Sequence, residues 1–487
     1  MSATLMIQGT GSDVGKSLLV AGLARAFVNR GLKVLPFKPQ NMSNNAAVTV
    51  EGGEVGRAQA LQARAARAAL INDMNPILLK PQTDIGSQVI VQGQVLGNAN
   101  ARDYQSLKPK LMPKVLESFE RLKSAADLVI IEGAGSPAEV NLRKNDIANM
   151  GFAEAADVPV ILAGDIDRGG VIAQLVGTYD LLSPSEKQRT KGYIVNKFRG
   201  DVSLFDDGLK IISQKTCGHN FGVLPFFKDA YKLPPEDAFS IQSQLKASAQ
   251  INIAVPVLSR IANYDDLDPL IAEPSVNVHF IKAGTPLPTG MDLIILPGSK
   301  ATLSDMEFIR AQGWDIDIKS HVRQGGSVIG ICGGFQMLGT KLYDPEGFEG
   351  DLRQTDGLGL LDFTTVLTGS KKLLEEKGTE SLNKTTIAGY HMHLGKCEGA
   401  ALSKPFLHLS SGPDGVLSAD RKLMGTYLHG LFANDDFRQK LLLRFSKKIH
   451  LSEAFEHRIE TTLDQLAQHM ESYLDLDKML EVARYAK

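Results

Sequence analysis

Twice along this chain, short aliphatic runs ending in glycine-containing turns alternate with helix-sized segments, and that rhythm restricts the fold more than any other feature. In the first series "TLMIQG" leads into "SLLVAGLARAFVNRG", whose apolar spacing suits a helix, and "KVLPFKP" follows as the next strand. "ADLVIIEGAG", "VPVILAGDID" and "KGYIVNKF" continue the series. Such runs suit strands buried on both faces, so the pattern predicts a mainly parallel sheet covered by helices. Around residues 230–250 it relaxes into "YKLPPEDAFSIQSQLKASAQ", a polar connection. A second α/β series then runs through "INIAVPVLSRI", "VHFIKAG", "DLIILPGS" and "GGSVIGICGG" to "KLMGTYLHGLF". The expected organisation is a first α/β unit over 1–235, a linker over 236–250, a second α/β unit over 251–437 and a helical extension over 438–487. Recurring apolar positions in "EHRIETTLDQLAQHMESYLDLDKMLEVARYAK" predict that the extension is packed.

At 487 residues the chain exceeds one ordinary core. Its 53 basic and 55 acidic side chains leave a net charge of -2, which offers no broad basic field for nucleic acid. Anionic ligands are still allowed, because backbone N–H groups hold phosphates without excess lysine. "MSATLMIQGTG" shows neither a basic leader nor a long apolar run, and runs such as "DVPVILAG" are strand-sized, so no membrane anchor is expected. Three scattered cysteines fit a reducing cytoplasm. Cys217 and Cys397 read as small buried hydrophobes.

"GTGSDVGKS", residues 9–17, joins a strand to a helix. Successive amides in such a loop surround phosphate oxygens, and the helix N-terminus adds favourable potential. Lys16 would sit against the terminal phosphates, and Ser17 would offer its hydroxyl to Mg²⁺. Gly11, Asp13 and Gly15 complete the loop. The strict G-x-x-x-x-G-K-S spacing is not met, because Thr10 stands where the pattern needs glycine. A metal-bound nucleotide also needs carboxylates. Glu132 ends one strand-like run and Asp165 and Asp167 end the next; Ser17, Glu132 and Asp165 are the candidate metal set. In "FKPQNMSNNA", Lys38 precedes amides and a hydroxyl, a composition suited equally to ligand contact or to an Asn-rich turn.

"GSVIGICGGFQMLG" places Cys332 at a strand-to-helix turn with glycines on both sides. Small neighbours let the chain turn sharply, lift the thiol above the sheet and keep adjacent N–H groups open to an oxyanion. The helix start favours a thiolate. Such an elbow serves nucleophilic acyl chemistry, and His429 in "GTYLHGLF" is the first choice of base. His391 and His393 alternate around Met392 and would share a strand face, forming a binding edge rather than the proton shuttle; zinc is not expected, because no third ligand stands near them in the sequence.

Taken in order, "GTGSDVGKS", "KPQNMSNN", "EGAGSPAEVNL", "DIDRGG", "NKFRGD", "PGSKATLSD", "GICGGFQMLG", "GYHMHLG" and "TYLHGLF" resemble the cobyric acid synthases almost end to end. The resemblance implies a dethiobiotin-synthetase-like, P-loop-like ATP-dependent domain joined to a class I glutamine-amidotransferase-like domain, with Cys332 as nucleophile and His429 as catalytic histidine. It implies ATP and Mg²⁺ as cofactors, with glutamine and an adenosylated corrinoid as substrates. The expected reaction is amidation of the b, d, e and g carboxylates of adenosylcobyrinic acid a,c-diamide; a homo-oligomer is compatible with it. Class I enzymes usually place a glutamate two residues after the histidine. Here Leu431 stands there, so another group must orient His429. The polar 38–45 segment and Arg168 are candidate corrinoid contacts. An a,c-diamide synthase, an ATP-dependent partitioning protein and a corrin-binding module are the competing readings.

Overall fold

The aliphatic runs form strands because each is bounded by turn residues and shielded by helices on either side. The computed structural model describes residues 2–81, 86–234, 243, 245–369, 372–449 and 453–484. In chain order, β1 (Ala3–Gly9) feeds the glycine loop and α1 (Lys16–Asn29), and β2 (Val34–Phe37) follows. Next come α2 (Arg57–Ala65), β3 (Leu128–Glu132), β4 (Val160–Asp165), β5 (Thr190–Phe198) and β6 (His219–Pro225). The sheet order is β6-β5-β4-β1-β3-β2, with every pair parallel. Ile7 lies opposite Glu132 and Gly9 opposite Ala163, so β3 and β4 flank the strand that carries the loop. Glu132 and Asp165 therefore end at the same carboxyl edge, where ligands bind in sheets of this kind.

Most of the polar connection, residues 235–242 and 244, lies outside the described residues. The second sheet uses β7 (Ile251–Pro256), β8 (Val276–Ile281), β9 (Leu293–Leu296) and β10 (Ser327–Ile331), with α3 (Thr302–Ala311) before β10 and α4 (Gly333–Met337) after it. After β11 (Thr386–His393) come β12 (Val416–Leu417), β13 (Leu423–Thr426) and β14 (Leu428–His429). The order β8-β7-β9-β10-β13-β12 is parallel except for its last pair. β14 pairs instead with β11, Tyr390 opposite His429, and so leaves the main sheet just where the histidine is needed.

The extension is divided: Leu441 and Leu442 stay in the core of the second unit, and from Phe455 onward the chain packs on the first. Its helix α5 (Phe455–Tyr473) buries Ile459, Leu463, Leu466 and Met470 against α1, and α6 (Leu476–Arg484) adds Met479 to the same core. Helix α5 covers the outer face of α1, so Leu19, Val20, Leu23 and Phe27 are all buried, while α6 lies against β1 and β6. Gly22 marks the closest approach: a Cβ there would lie 2.6 Å from Met470 Cε. The buried Arg25 completes the seam, donating to Glu460 at 2.6 Å and Asp464 at 3.2 Å.

Candidate active sites

At the first site, the loop enters α1 through Gly15, whose φ of +91° strains any side-chain-bearing residue. A Cβ at Gly15 would meet Asn196 Nδ2 at 2.6 Å, and one at Gly9 would meet Val14 Cγ2 at 2.5 Å and Lys16 Nζ at 2.9 Å. The loop is thus a cradle that admits only glycine at these two points. Asn196 holds it from β5 by donating to Val14 O at 2.8 Å. Lys16 crosses the loop and donates to Gly11 O and Gly135 O, each at 3.0 Å.

Glu132 is the hub beneath the loop and is almost wholly buried. Ser17 Oγ and Lys38 Nζ both donate to its Oε1 at 2.8 Å, and Gln62 Nε2 donates to its Oε2 at 2.5 Å. Gln62 also donates to Ser17 O at 3.3 Å. Three expected residues, Ser17, Lys38 and Glu132, therefore meet. Asp165 faces the other side of β1, where Lys197 donates to it at 2.9 Å and also reaches Asp13 O. Asp13 and Arg168 are exposed and meet at 3.4 Å. Asp167 is turned to Arg199 at 2.6 Å, which holds its carboxyl below the usual range. A hydroxyl next to a carboxylate, under a loop of amides with a lysine across it, is a donor set that fits a magnesium-bound nucleotide. Among the described residues no group of three or more His, Cys, Asp or Glu side chains converges as a metal cage.

At the second site Cys332 has φ +53° and ψ −111°, a conformation that costs a non-glycine residue about 1–3 kcal/mol. Close packing fixes it. A Cβ at Gly330 would meet Gly334 O at 2.6 Å, and one at Gly334 would meet Leu296 O at 2.1 Å, while Cys332 N donates to Thr426 O at 2.8 Å. The sulfur, nearly buried, shares a small cavity with His429, Ser299, Lys300, Glu349 and Met392, and its wall includes Lys80 from the first unit.

His429 is buried, with Nδ1 2.7 Å from Asp266 Oδ2, and Gly430 N donates to Asp266 Oδ1 at 2.6 Å. Burial works against the charged ring, but the Asp266 carboxylate and the Cys332 sulfur outweigh it and raise His429 to about 10. Asp266 is the orienting group that Leu431 cannot supply. It rides on the turn Tyr264–Leu267, far from the histidine in sequence. Cys332, His429 and Asp266 therefore line up as sulfur, imidazole and carboxylate, the arrangement of a nucleophilic triad.

His391 and His393 do share one face, their ring centroids 5.3 Å apart. Only His393 lines the sulfur cavity, stacked on Tyr427 at 3.7 Å. Burial pushes both rings down to about 3, so they act as neutral groups. Of the other thiols, Cys397 meets its expectation only in part: it is half-buried at the edge of the second core, with its sulfur 3.0 Å from Tyr427 Oη and 3.2 Å from Thr365 Oγ1, and desolvation pushes it up to about 11. Cys217 does not. It is exposed, because it caps the helix Asp206–Thr216 in a left-handed conformation that turns it away from the core.

Two family models divide the chain: a CobQ/CobB/MinD/ParA nucleotide binding domain matches residues 5–241, and a CobB/CobQ-like glutamine amidotransferase domain matches residues 252–437. A cobyric acid synthase of Methylorubrum populi is 56% identical over 99% of this chain and 100% of its own length. Those of Bradyrhizobium diazoefficiens and Rhodobacter capsulatus are each 55% identical over 99% of this chain, covering 100% and 99% of their own lengths. The chain belongs to the cobyric acid synthase family. It is an amidotransferase built on two α/β units, the first a nucleotide-binding P-loop relative and the second a glutamine amidotransferase.

Within this cobyric acid synthase framework, sequence reasoning missed Asp266, Gln62, Asn196 and Lys197. "NKFRGD" carries the last two as a block, but nothing local to it reveals that they brace the loop. Gln62 lies in a run of alanines and arginines and shows no motif. Asp266 sits among three acids in "YDDLD", any of which suits the histidine. Among the described residues no helix is long and apolar enough to cross a membrane.

Proposed function

We propose that this chain amidates the b, d, e and g carboxylates of adenosylcobyrinic acid a,c-diamide, using glutamine and ATP with Mg²⁺, and so yields adenosylcobyric acid. The observation that carries the reading is that the triad's cavity is walled partly by the nucleotide-binding unit, through Lys80. Ammonia released at the sulfur thus emerges against the unit that would activate the acceptor. Residues 1–235 would form the synthetase unit, 236–250 a linker, 251–437 the glutaminase and 438–487 a helical extension.

In the glutaminase, the Cys332 sulfur attacks the glutamine side-chain carbonyl, and Gly333 at the start of α4 lies beside the oxyanion that forms. His429, held by Asp266, delivers a proton to the leaving ammonia and then draws one from the water that releases glutamate. In the synthetase, ATP supplies the phosphoryl group that turns a carboxylate into a displaceable acyl phosphate. Gly11, Gly15 and Lys16 would hold the phosphates, with Asp13 and Lys38 at the rim of the same pocket. Ser17 and Glu132 would hold Mg²⁺, and Asp165 would stand across β1 with Lys197. Arg168, exposed at this edge, supports corrinoid carboxylate contact.

Mass spectrometry of products from adenosylcobyrinic acid a,c-diamide, ATP, Mg²⁺ and glutamine tests the proposal. Four added amides support it. Amidation of the a and c carboxylates of an undecorated precursor would instead make the chain a diamide synthase, and no amidation by folded protein would remove the reading altogether.

A further inference from the structure

Helix α2 belongs to the nucleotide-binding unit, yet its two ends touch both sites. At its start, Arg57 Nη2 lies 2.6 Å from Asp265 Oδ2, the residue adjacent to the triad's Asp266. Toward its end, Gln62 holds Glu132 under the phosphate loop. They stand five positions apart, about 7.5 Å along a rigid axis. The strand of chain leading into α2 grips the same turn: Asn263 N donates to Asn45 Oδ1 at 2.9 Å and Ala46 N donates to Asn263 Oδ1 at 3.3 Å. Arg57 N in turn donates to Asn45 O at 3.2 Å. The turn Tyr264–Leu267 that presents Asp266 is therefore clamped from outside its own unit. Asp265 is buried, and Arg57 is the cation ion-paired to it. A buried carboxylate of this kind fixes its backbone only while its partner stays in place.

We propose that Arg57 is a positioning residue for glutamine hydrolysis: by anchoring Asp265 it seats the turn that holds Asp266 against His429, so the nucleotide-binding unit completes the geometry of the glutaminase. The inference rests on the glutaminase reading of Cys332 and His429 and adds the first unit's part in it. Arg57 touches neither sulfur nor substrate. Its effect passes through the turn, so it falls on the proton-transfer step rather than on glutamine binding.

The test uses the full chain with Arg57→Met and the double variant Arg57→Met/Asp265→Asn, which removes the pair without stranding a buried charge. Glutaminase kcat and KM are measured together with the rate of Cys332 alkylation by iodoacetamide. Ammonia-driven amidation serves as the control for folding. In both variants the ratio of glutamine-driven to ammonia-driven turnover should fall by roughly tenfold or more, through kcat with KM for glutamine little changed. Cys332 alkylation should slow in parallel, because the imidazole no longer sits square to the sulfur. An unchanged ratio would overturn the proposal, as would full recovery in the double variant, which would reduce Arg57 to a neutraliser of Asp265. Equal loss of the two activities would show a general destabilisation and would overturn it too. Absence of glutaminase activity in the unsubstituted protein would instead remove the underlying reading.

Discussion

Glu132 and Asp266 are both buried carboxylates at the hub of a site, and their surroundings are opposite. Glu132 receives Lys38, Ser17 and Gln62, with Lys16 arched over the loop above it. Positive charge exceeds negative there, which suits a polyphosphate that has yet to arrive. Asp266 stands beside Asp265 and close to Asp268, with Arg57 and His429 as the opposing cations. Burial pushes Asp265 and Asp268 up towards their neutral forms, and the Asp266 carboxylate, with the Cys332 sulfur, keeps a proton on the imidazole. The same functional group thus prepares one site to accept an anion and another to retain a cation, and the neighbours decide which.

The contrast is broken most directly by exchanging hub and nucleophile. Cys332→Ala should lower glutamine-driven amidation by about 10⁴-fold, while free ammonia still supports turnover. Glu132→Gln should lower amidation from either nitrogen source by about 10²-fold to 10³-fold and leave glutamine hydrolysis in place. Assays with glutamine and with ammonium salt, run side by side, separate the two. If both variants lost both activities equally, the sites would not be chemically distinct.

A smaller loss, about 10²-fold in glutaminase kcat, is expected for Asp266→Asn. Its sign with pH follows from the raised His429. A group that gains a proton on folding contributes stability in full below its ordinary value, here 6.5, and loses that contribution as pH rises through about 10. The gap in Tm between the unsubstituted protein and Asp266→Asn should therefore be widest at and below about pH 6.5 and narrow steadily as pH climbs to about 10. Thermal melts across that range check it. A gap that held constant would mean that Asp266 orients the ring without charging it.

These two hubs also differ in how far they could be read in advance. The phosphate site is built on one contiguous stretch, residues 9–17, and Glu132 ends the strand next to it, so strand order and loop spacing were enough. Gly15 belongs to the same stretch, whereas "FKPQNMSNNA" suits ligand contact and an Asn-rich turn equally, and only the fold brings Lys38 to Glu132. The triad joins positions 266, 332 and 429. Cys332 announces itself because its glycines are demanded by close packing on both sides of the elbow. His429 becomes conspicuous only once paired with that elbow. Asp266 has no local signature at all, because what selects it over Asp265 and Asp268 is the approach of β14, a tertiary event. The packed tail was legible from its helical period, but its docking on α1 was not. That contact depends on the small Gly22 facing Met470 in a helix whose own pattern already looks complete.

That docking gives a prediction about stability alone. Leu466 is fully buried between α5 and α1, so Leu466→Ala should destabilise the protein by about 3 kcal/mol through lost burial and the cavity left behind. Urea unfolding followed by a probe in each unit should show the loss in the nucleotide-binding half. An equal shift in both halves would mean that the two units unfold as one, and the distinction between the hubs would then be chemical without being mechanical.

Glu349 supplies the finest test, because it is a carboxylate in the sulfur cavity that faces a cation, as Glu132 does. Burial raises it to about 7, while Lys300 and the N–H of Thr302, 2.5 Å away, pull the other way without prevailing. The slope with pH has the same sign as for His429, because the folded state again holds the extra proton, but here the proton marks a cost of burial rather than a favourable charge. The folded state keeps a proton that the unfolded chain has released above 4.5, so stability falls as pH climbs from 4.5 to about 7 and is level beyond. Glu349→Gln escapes that loss. Its Tm relative to the unsubstituted protein should rise across this interval by roughly 2 °C and then stay flat. A difference independent of pH would show that Lys300 neutralises Glu349 as fully as Lys38 neutralises Glu132. The carboxylate beside the sulfur would then belong with the first hub, and a crowding of buried carboxyls would be a property of the Asp266 turn alone.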